Sequence, residues 1–183
     1  KNGYFTMVAS SHGQRVLSDS LLALSNAGLV GGIILLLSSL TDEIKNILKE
    51  IKVPVILISG GKEEYGFDTV AIDNYQGAFN ATEYLIKKKG FKNIAHIPGP
   101  AENEDAYLRK RGFIDACKKN GVTVNKSFIV DGDFTKESGY KAFIKLYSLV
   151  DKPQAIFTAN DMMALGCYEA AEYLNLQIPK DIA

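Results

Sequence analysis

Residues 33–58 read IILLLSSLTDEIKNILKEIKVPVILI. The two apolar runs, Ile33 to Leu37 and Val53 to Ile58, are unbroken and short, the pattern of strands covered on both faces. Between them Thr41 stands where an N-cap belongs, and Ile44, Ile47, Leu48 and Ile51 recur at helical spacing. A strand, a helix and a second strand joined this tightly form a βαβ unit, and such a unit requires parallel strands.

The same alternation extends in both directions. Upstream, Tyr4 to Val8 reads as a strand, and Gln14 to Ala27 as a helix with Leu17, Leu21 and Leu24 on one face. Downstream, a glycine- and charge-rich loop from Gly60 to Phe67 leads to a strand over Thr69 to Ile72. Asp73-Asn74 then opens a helix carrying Ala78, Ala81, Thr82 and Leu85, and a domain boundary is placed there. Beyond it, strands are expected at 93–97, 128–130 and 154–158, and helices at 105–120, 136–149 and 161–174. The fold class is α/β, with doubly wound parallel sheets.

Composition closes off several function classes. The 21 basic residues cancel the 21 acidic ones, so no net positive field holds this segment on nucleic acid. The longest apolar stretch, Leu29 to Leu37, is far short of the roughly 20 residues of a membrane helix. Cys117 and Cys167 both fall in helical apolar patterns, where a reduced, buried thiol is the ordinary state, so a cytoplasmic setting is expected. The start at Lys1 has no initiator Met and no signal-peptide organisation, and Lys180 to Ala183 reads as the lead-in to a strand. Both ends are therefore read as cuts.

Recognisable catalytic chemistry is missing. No G-x-G-x-x-G, Walker-type phosphate loop or G-x-S-x-G elbow occurs. Tyr140 is followed four residues later by Ile144 and not by the lysine that a dehydrogenase reading needs. The two histidines, His12 and His96, are far apart and have no second ligand at metal-binding spacing. No catalytic residue, metal site or cofactor is expected, and the protein is read as a binder, not an enzyme.

In doubly wound sheets ligands bind beyond the carboxyl ends of the strands. The loops in that position are Ser38-Ser39, Ser59-Gly60-Gly61, Asp73-Asn74, Pro98 to Asp105, Asp131 to Thr135 and Ala159-Asn160-Asp161, all of them polar. Arg109 shares a helix face with Phe113 and Ala116. It reads either as a guanidinium gripping ligand oxygens or, as spacing alone favours, as a solvated or ion-paired arginine. Phe134, an aromatic in a polar loop, either stacks on a ligand ring or staples the helix capped by Thr135. Asn160 begins a helix, where it caps and can still offer a donor and an acceptor.

These stretches resemble the LacI/GalR family of transcription regulators over nearly the whole chain. The resemblance is carried by Val70-Ala71-Ile72-Asp73-Asn74 with Gly77, His96-Ile97-Pro98-Gly99-Pro100, Arg109 with Gly112-Phe113, and Gly132-Asp133-Phe134-Thr135 with Glu137-Ser138-Gly139-Tyr140. It continues through Pro153 with Ala155-Ile156-Phe157, Ala159-Asn160-Asp161 with Met163-Ala164-Leu165-Gly166, and Ile178-Pro179-Lys180-Asp181-Ile182. It implies two lobes of the type I periplasmic-binding-protein kind, residues 1–73 and 74–183. Asp73 and Asn74 would be the first hinge crossover. A small effector, a sugar before other metabolites, would sit between the lobes and set the operator affinity of a headpiece.

By position, Arg109 matches the effector-gripping arginine of the family, Phe134 its aromatic platform and Asn160 its polar contact, while Asn103, Asp105 and Gln76 match further contact positions. Many sugar-binding relatives carry an Asp-Arg-like pair where this chain has Ser59-Gly60, so a purine or a protein corepressor stands beside a sugar. The opening βα unit of the family, its last C-lobe strand and its headpiece are expected to lie outside these residues. Homodimers and operator DNA are the implied partners. The alternative on the same fold is a solute-binding receptor of a sugar transporter.

Overall fold

The computed structural model describes residues 3, 5–9, 14–37, 40–58 and 66–183. Tyr4, His12 and the loops Ser38-Ser39 and Ser59-Gly60-Gly61 lie outside the described residues. The chain divides into two compact units, Lys1–Ile72 and Asp73–Ala183.

The first unit contains α1 (Gln14–Asn26), β1 (Ile33–Leu36), α2 (Asp42–Glu50), β2 (Val55–Ile58) and β3 (Asp68–Val70). The three strands are parallel in the order β1-β2-β3, with Ile33 opposite Val55 and Ile56 opposite Asp68. Thr41 caps α2 by accepting a hydrogen bond from the Ile44 amide. Asp42 and Glu43 in the first turn and Lys49 in the last suit the helix dipole. Leu21 of α1, Ile44 and Leu48 of α2, Leu35 and Leu57 form one buried cluster.

Two expectations for this unit are corrected. Among the described residues the strands are covered on one face only: Leu35 is buried, while its neighbours Ile34 and Leu36 are 70% and 72% exposed. Successive strand residues point to opposite faces, and both α1 and α2 send their apolar side chains to the same one. Residues 5–9 form no strand and are exposed. A strand is stable only when a neighbour takes up its backbone groups, and none of the described strands pairs with this segment.

The second unit runs α3 (Asn74–Lys87), β4 (Ile94–Ile97), α4 (Glu104–Lys119), a 3-10 turn over Lys126–Phe128, α5 (Lys136–Tyr147), β5 (Ala155–Thr158) and α6 (Asp161–Tyr173). β4 and β5 are parallel, with Ile94 opposite Ala155. The strand expected at 128–130 is reduced to one bridge, His96 to Ile129, because Asn125 caps the 3-10 turn that takes up the residues before it. Ala183 lies against β5, donating to the Gln154 carbonyl at 3.0 Å and accepting from the Ile156 amide at 2.7 Å.

Helices cover both faces of this sheet. Ala95 and Ile97 pack with Phe143, Leu146, Met163 and Ala170 of α5 and α6, and Ile94 packs with Phe113 and Cys117 of α4. α5 and α6 cross closely at Gly139 and Gly166. A side-chain carbon on Gly166 would collide with the Lys136 carbonyl, and one on Gly139 with the Met163 backbone. Cys117 and Cys167 are free and buried, and burial pushes their thiols up to about 11 and about 12. They are unreactive packing residues.

His96 is wholly buried and forms a three-ring cluster with Phe113 (4.9 Å between centroids) and Phe157 (5.1 Å), which are themselves 6.4 Å apart. Its Nδ1 lies 2.7 Å from the Phe157 carbonyl. A carbonyl only accepts, so Nδ1 carries the proton. Nε2 has no hydrogen-bond partner among the described residues. Burial drives the pKa of His96 down from 6.5 to about 4, with Lys110 adding a smaller push the same way against the Phe157 hydrogen bond.

Candidate functional site

In the second unit two sets of hydrogen bonds, one joining Asn74, Asp105, Arg109 and the Ala159 carbonyl and one joining Asn160 to the Phe134 carbonyl, meet at the neighbouring residues Ala159 and Asn160. Asp105 and Arg109 are one turn apart on α4, so they share a face. Asn103 caps that helix, its Oδ1 accepting from the Ala106 amide at 2.9 Å. Asp73 caps α3 in the same way, accepting from the Gln76 amide at 2.9 Å, and this places Asn74 at the first helical position with its side chain buried.

Buried there, the Asn74 amide needs partners at both ends and finds them on α4. Its Nδ2 donates to Asp105 Oδ1 at 2.9 Å, and its Oδ1 accepts from Arg109 Nε at 2.8 Å. Arg109 also donates through Nη1 to the Ala159 carbonyl at 2.5 Å. The half-buried guanidinium is thus held at two points of its fork. Among the described residues it makes no ion pair, and Nη2 has no hydrogen-bond partner. It is neither solvated at the end of a free side chain nor paired with an acid, the two ordinary fates of a helix arginine.

Asn160, next to Ala159, caps α6 by accepting from the Met163 amide at 3.0 Å, and its Nδ2 donates to the Phe134 carbonyl at 2.9 Å. Phe134 has a φ of 70°, in the left-handed region, which costs a residue with a Cβ on the order of 1–2 kcal/mol. The turn around it is firmly made. Asp133 Oδ1 accepts from the Thr135 amide at 2.9 Å and from its hydroxyl, and Thr135 caps α5. Hydrogen bonds from Thr135 first, and then Ser138, hold the Asp133 carboxyl down at about 2, so it is fully charged at neutral pH. The Phe134 ring is half-buried at the edge of the α5/α6 core.

Of the residues singled out in the sequence, Arg109, Asn160 and Phe134 meet on the adjacent residues Ala159 and Asn160, and Asp105 joins them through Asn74. Gln76 does not join: its side chain runs along the outside of α3 to Asn80 Oδ1 at 2.7 Å. Asn103 spends its acceptor on the α4 cap. Asn74, expected from the sequence only at the hinge, is also a member of this polar cluster. The signal was there, since an asparagine just inside a helix that opens with its own Asp cap has no capping task left. A recess of 430 Å³ on the same unit, lined by Lys136, Leu165, Tyr168, Glu169, Leu176 and Ile178, shares no residue with this cluster.

Parallel α/β units of this kind gather their polar loops at the carboxyl ends of the strands, and Ala159 and Asn160 lie there, after β5. The model of the periplasmic binding proteins and sugar binding domain of the LacI family matches residues 6–183, and the chain belongs to that family.

Among its relatives, the HTH-type transcriptional repressor PurR of Proteus mirabilis is 33% identical over 99% of this chain and 53% of its own length. The chain thus spans about half the length of the curated relatives it matches. A putative LacI transcriptional regulator from Bacillus cereus subsp. cytotoxis is similar in structure, with a TM-score of 0.82 at 31% identity over 96% of this chain and 62% of the other. A LacI family regulator from Enterococcus faecium, solved with bound ribose, has a TM-score of 0.75 at 27% identity over 88% of this chain and 60% of the other. These relatives are transcriptional regulators and not enzymes, which goes against the transporter-receptor alternative.

Proposed function

We propose that this chain is the ligand-sensing part of a cytoplasmic DNA-binding transcription regulator. It holds a small effector against the second unit and passes occupancy on, as operator affinity, to a DNA-binding headpiece carried elsewhere in the complete protein. The observation that carries this reading is the Nη2 of Arg109, which has no partner among the described residues, on a guanidinium already fixed by Asn74 and by Ala159, whose neighbour Asn160 holds the Phe134 backbone. A planar fork held at two points loses little freedom when it takes a third oxygen. An aromatic face favours the apolar side of a pyranose or furanose, or a purine.

A sugar or a related ring metabolite is therefore the effector class. Phe134 would stack on its face, and Arg109 and Asp105 would meet its oxygens and hydroxyls. Asp73 and Asn74, at the junction of the two units, are the proposed hinge. Homodimerisation belongs to the same reading, since a two-fold protein suits a two-fold operator. The exposed Met162, Leu165 and Tyr168 along α6 offer an apolar stripe for it.

The test is thermal melting of the complete protein with D-ribose, cellobiose, adenine, guanine and hypoxanthine. A true effector at a hundred times its Kd adds about 2.7 kcal/mol of stability. Arg109→Ala should remove that gain, and an unchanged gain would take Arg109 out of the site.

A further inference from the structure

The Phe134 ring lies on Gly99. A side-chain carbon placed on Gly99 would fall onto the Cε1, Cζ and Cδ1 atoms of the ring, so the ring occupies the space that any other residue would fill. Gly99 is buried in the loop after β4, between Pro98 and Pro100, whose fixed backbone angles hold it in place. The ring is aimed there by a left-handed backbone, and the side chain from another element that holds this backbone is Asn160, bonded to the Phe134 carbonyl. The other end of the Asn160 amide is bound to the α6 cap. Engaged at both ends, Asn160 acts on Phe134 and on α6.

We propose that Gly99 and Asn160 are positioning residues for Phe134. Gly99 sets how deep the ring sinks, and Asn160 locks the conformation that sends it there. Together they fix the plane on which a flat-faced ring compound stacks. The inference rests on the reading of Phe134 as the effector platform.

The first arm of the test needs no ligand. It is a double-mutant cycle on the complete protein, followed by thermal unfolding. Gly99→Ala should lower the melting temperature when Phe134 is present and leave it nearly unchanged in a Phe134→Ala background, because the added methyl then has room. An equal loss in both backgrounds would mean that Gly99 serves only its own backbone, and would overturn the proposal.

Asn160→Asp supplies a second variant that leaves the helix capped, since Asp caps as well as Asn, and replaces the donor to Phe134 with a carboxylate oxygen that cannot donate to the carbonyl. With glycine and phenylalanine labelled in a deuterated background, the nuclear Overhauser contact between the Gly99 α protons and the Phe134 ring should be strong in the wild type. It should fall below half in Asn160→Asp. A contact of unchanged strength would overturn the role of Asn160.

The second arm titrates D-ribose, cellobiose, adenine, guanine and hypoxanthine calorimetrically. Any of these that binds through Phe134 should bind at least about tenfold more weakly to both positioning variants, the size of one lost oriented contact. Coupling in the first arm, with binding that ignores Phe134→Ala in the second, would uphold the positioning of the ring and sink the platform reading. Absent coupling would sink the positioning whatever binds.

Discussion

β1 and β4 are strands of equal length with opposite fates. Ile33-Ile34-Leu35-Leu36 is apolar throughout, yet two of its four side chains stand largely in solvent; Ile94-Ala95-His96-Ile97 contains a histidine, and all four are buried. What separates them, among the described residues, is the number of layers packed on the sheet. In the first unit α1 and α2 feed a single cluster. In the second, α5 and α6 pack on one face and α4 on the other. Burial of a strand is thus a property of what lies against it, and composition sets only how much is gained when something does.

If the two-sided cover of the second unit is what stabilises it, its deepest aromatic should be the costliest to remove. Phe113 is fully buried, packs with Ile94 and Ala155, and stacks on His96. Phe113→Ala should destabilise the second unit by about 3–5 kcal/mol, read from the denaturant midpoint of its transition. A loss under about 1 kcal/mol would mean that the α4 face adds little and that the contrast between the units is cosmetic.

The same aromatic layer makes the second unit sensitive to acid. In the unfolded chain His96 titrates near 6.5, and in the fold at about 4, because burial disfavours the imidazolium. Above pH 6.5 neither state binds the proton and the full stability is present. As pH falls from 6.5 towards 4 the unfolded state binds it first, and stability drains away until the folded state protonates too. The loss over that window is about 3 kcal/mol at 1.36 kcal/mol per pH unit. Melting of the second unit at pH 7 and pH 4.5 should show it. His96→Phe should flatten the dependence, while an unchanged slope would place the titrating group elsewhere.

Much of the architecture was legible because local signals and tertiary packing agreed. Thr41 caps the helix it was assigned to, the runs at 33 and 53 become neighbouring parallel strands, and Asn160 caps α6. Where the sequence misled, the missing information was not local. The apolar character of Ile34 and Leu36 promised cover on both faces, but cover depends on helices packing there. Phe5 and Val8 have strand character and no paired neighbour among the described residues. In the candidate site the arginine, the aromatic and the asparagine stood out as residue types, whereas Gly99 and the Ala159 carbonyl had no such mark. A glycine matters here for the atom it lacks, and a carbonyl for where the backbone brings it.

The smallest effect tests the open face itself. Leu36 and Leu35 are adjacent in β1, alike in composition and opposite in direction, at 72% and 7% exposure. Threonine has the β-branched shape that strands favour, so Leu36→Thr mainly removes apolar area already in water, and its effect should stay within about 0.5 kcal/mol. Leu35→Thr, one residue away, puts a hydroxyl into the cluster with Leu21, Ile44, Leu48 and Leu57 and should cost several times more. Equal losses at the two positions, measured in the complete protein, would show that the outer face of this sheet is covered there by another part of the chain. The two units would then follow the same two-sided plan, and the difference between β1 and β4 would vanish.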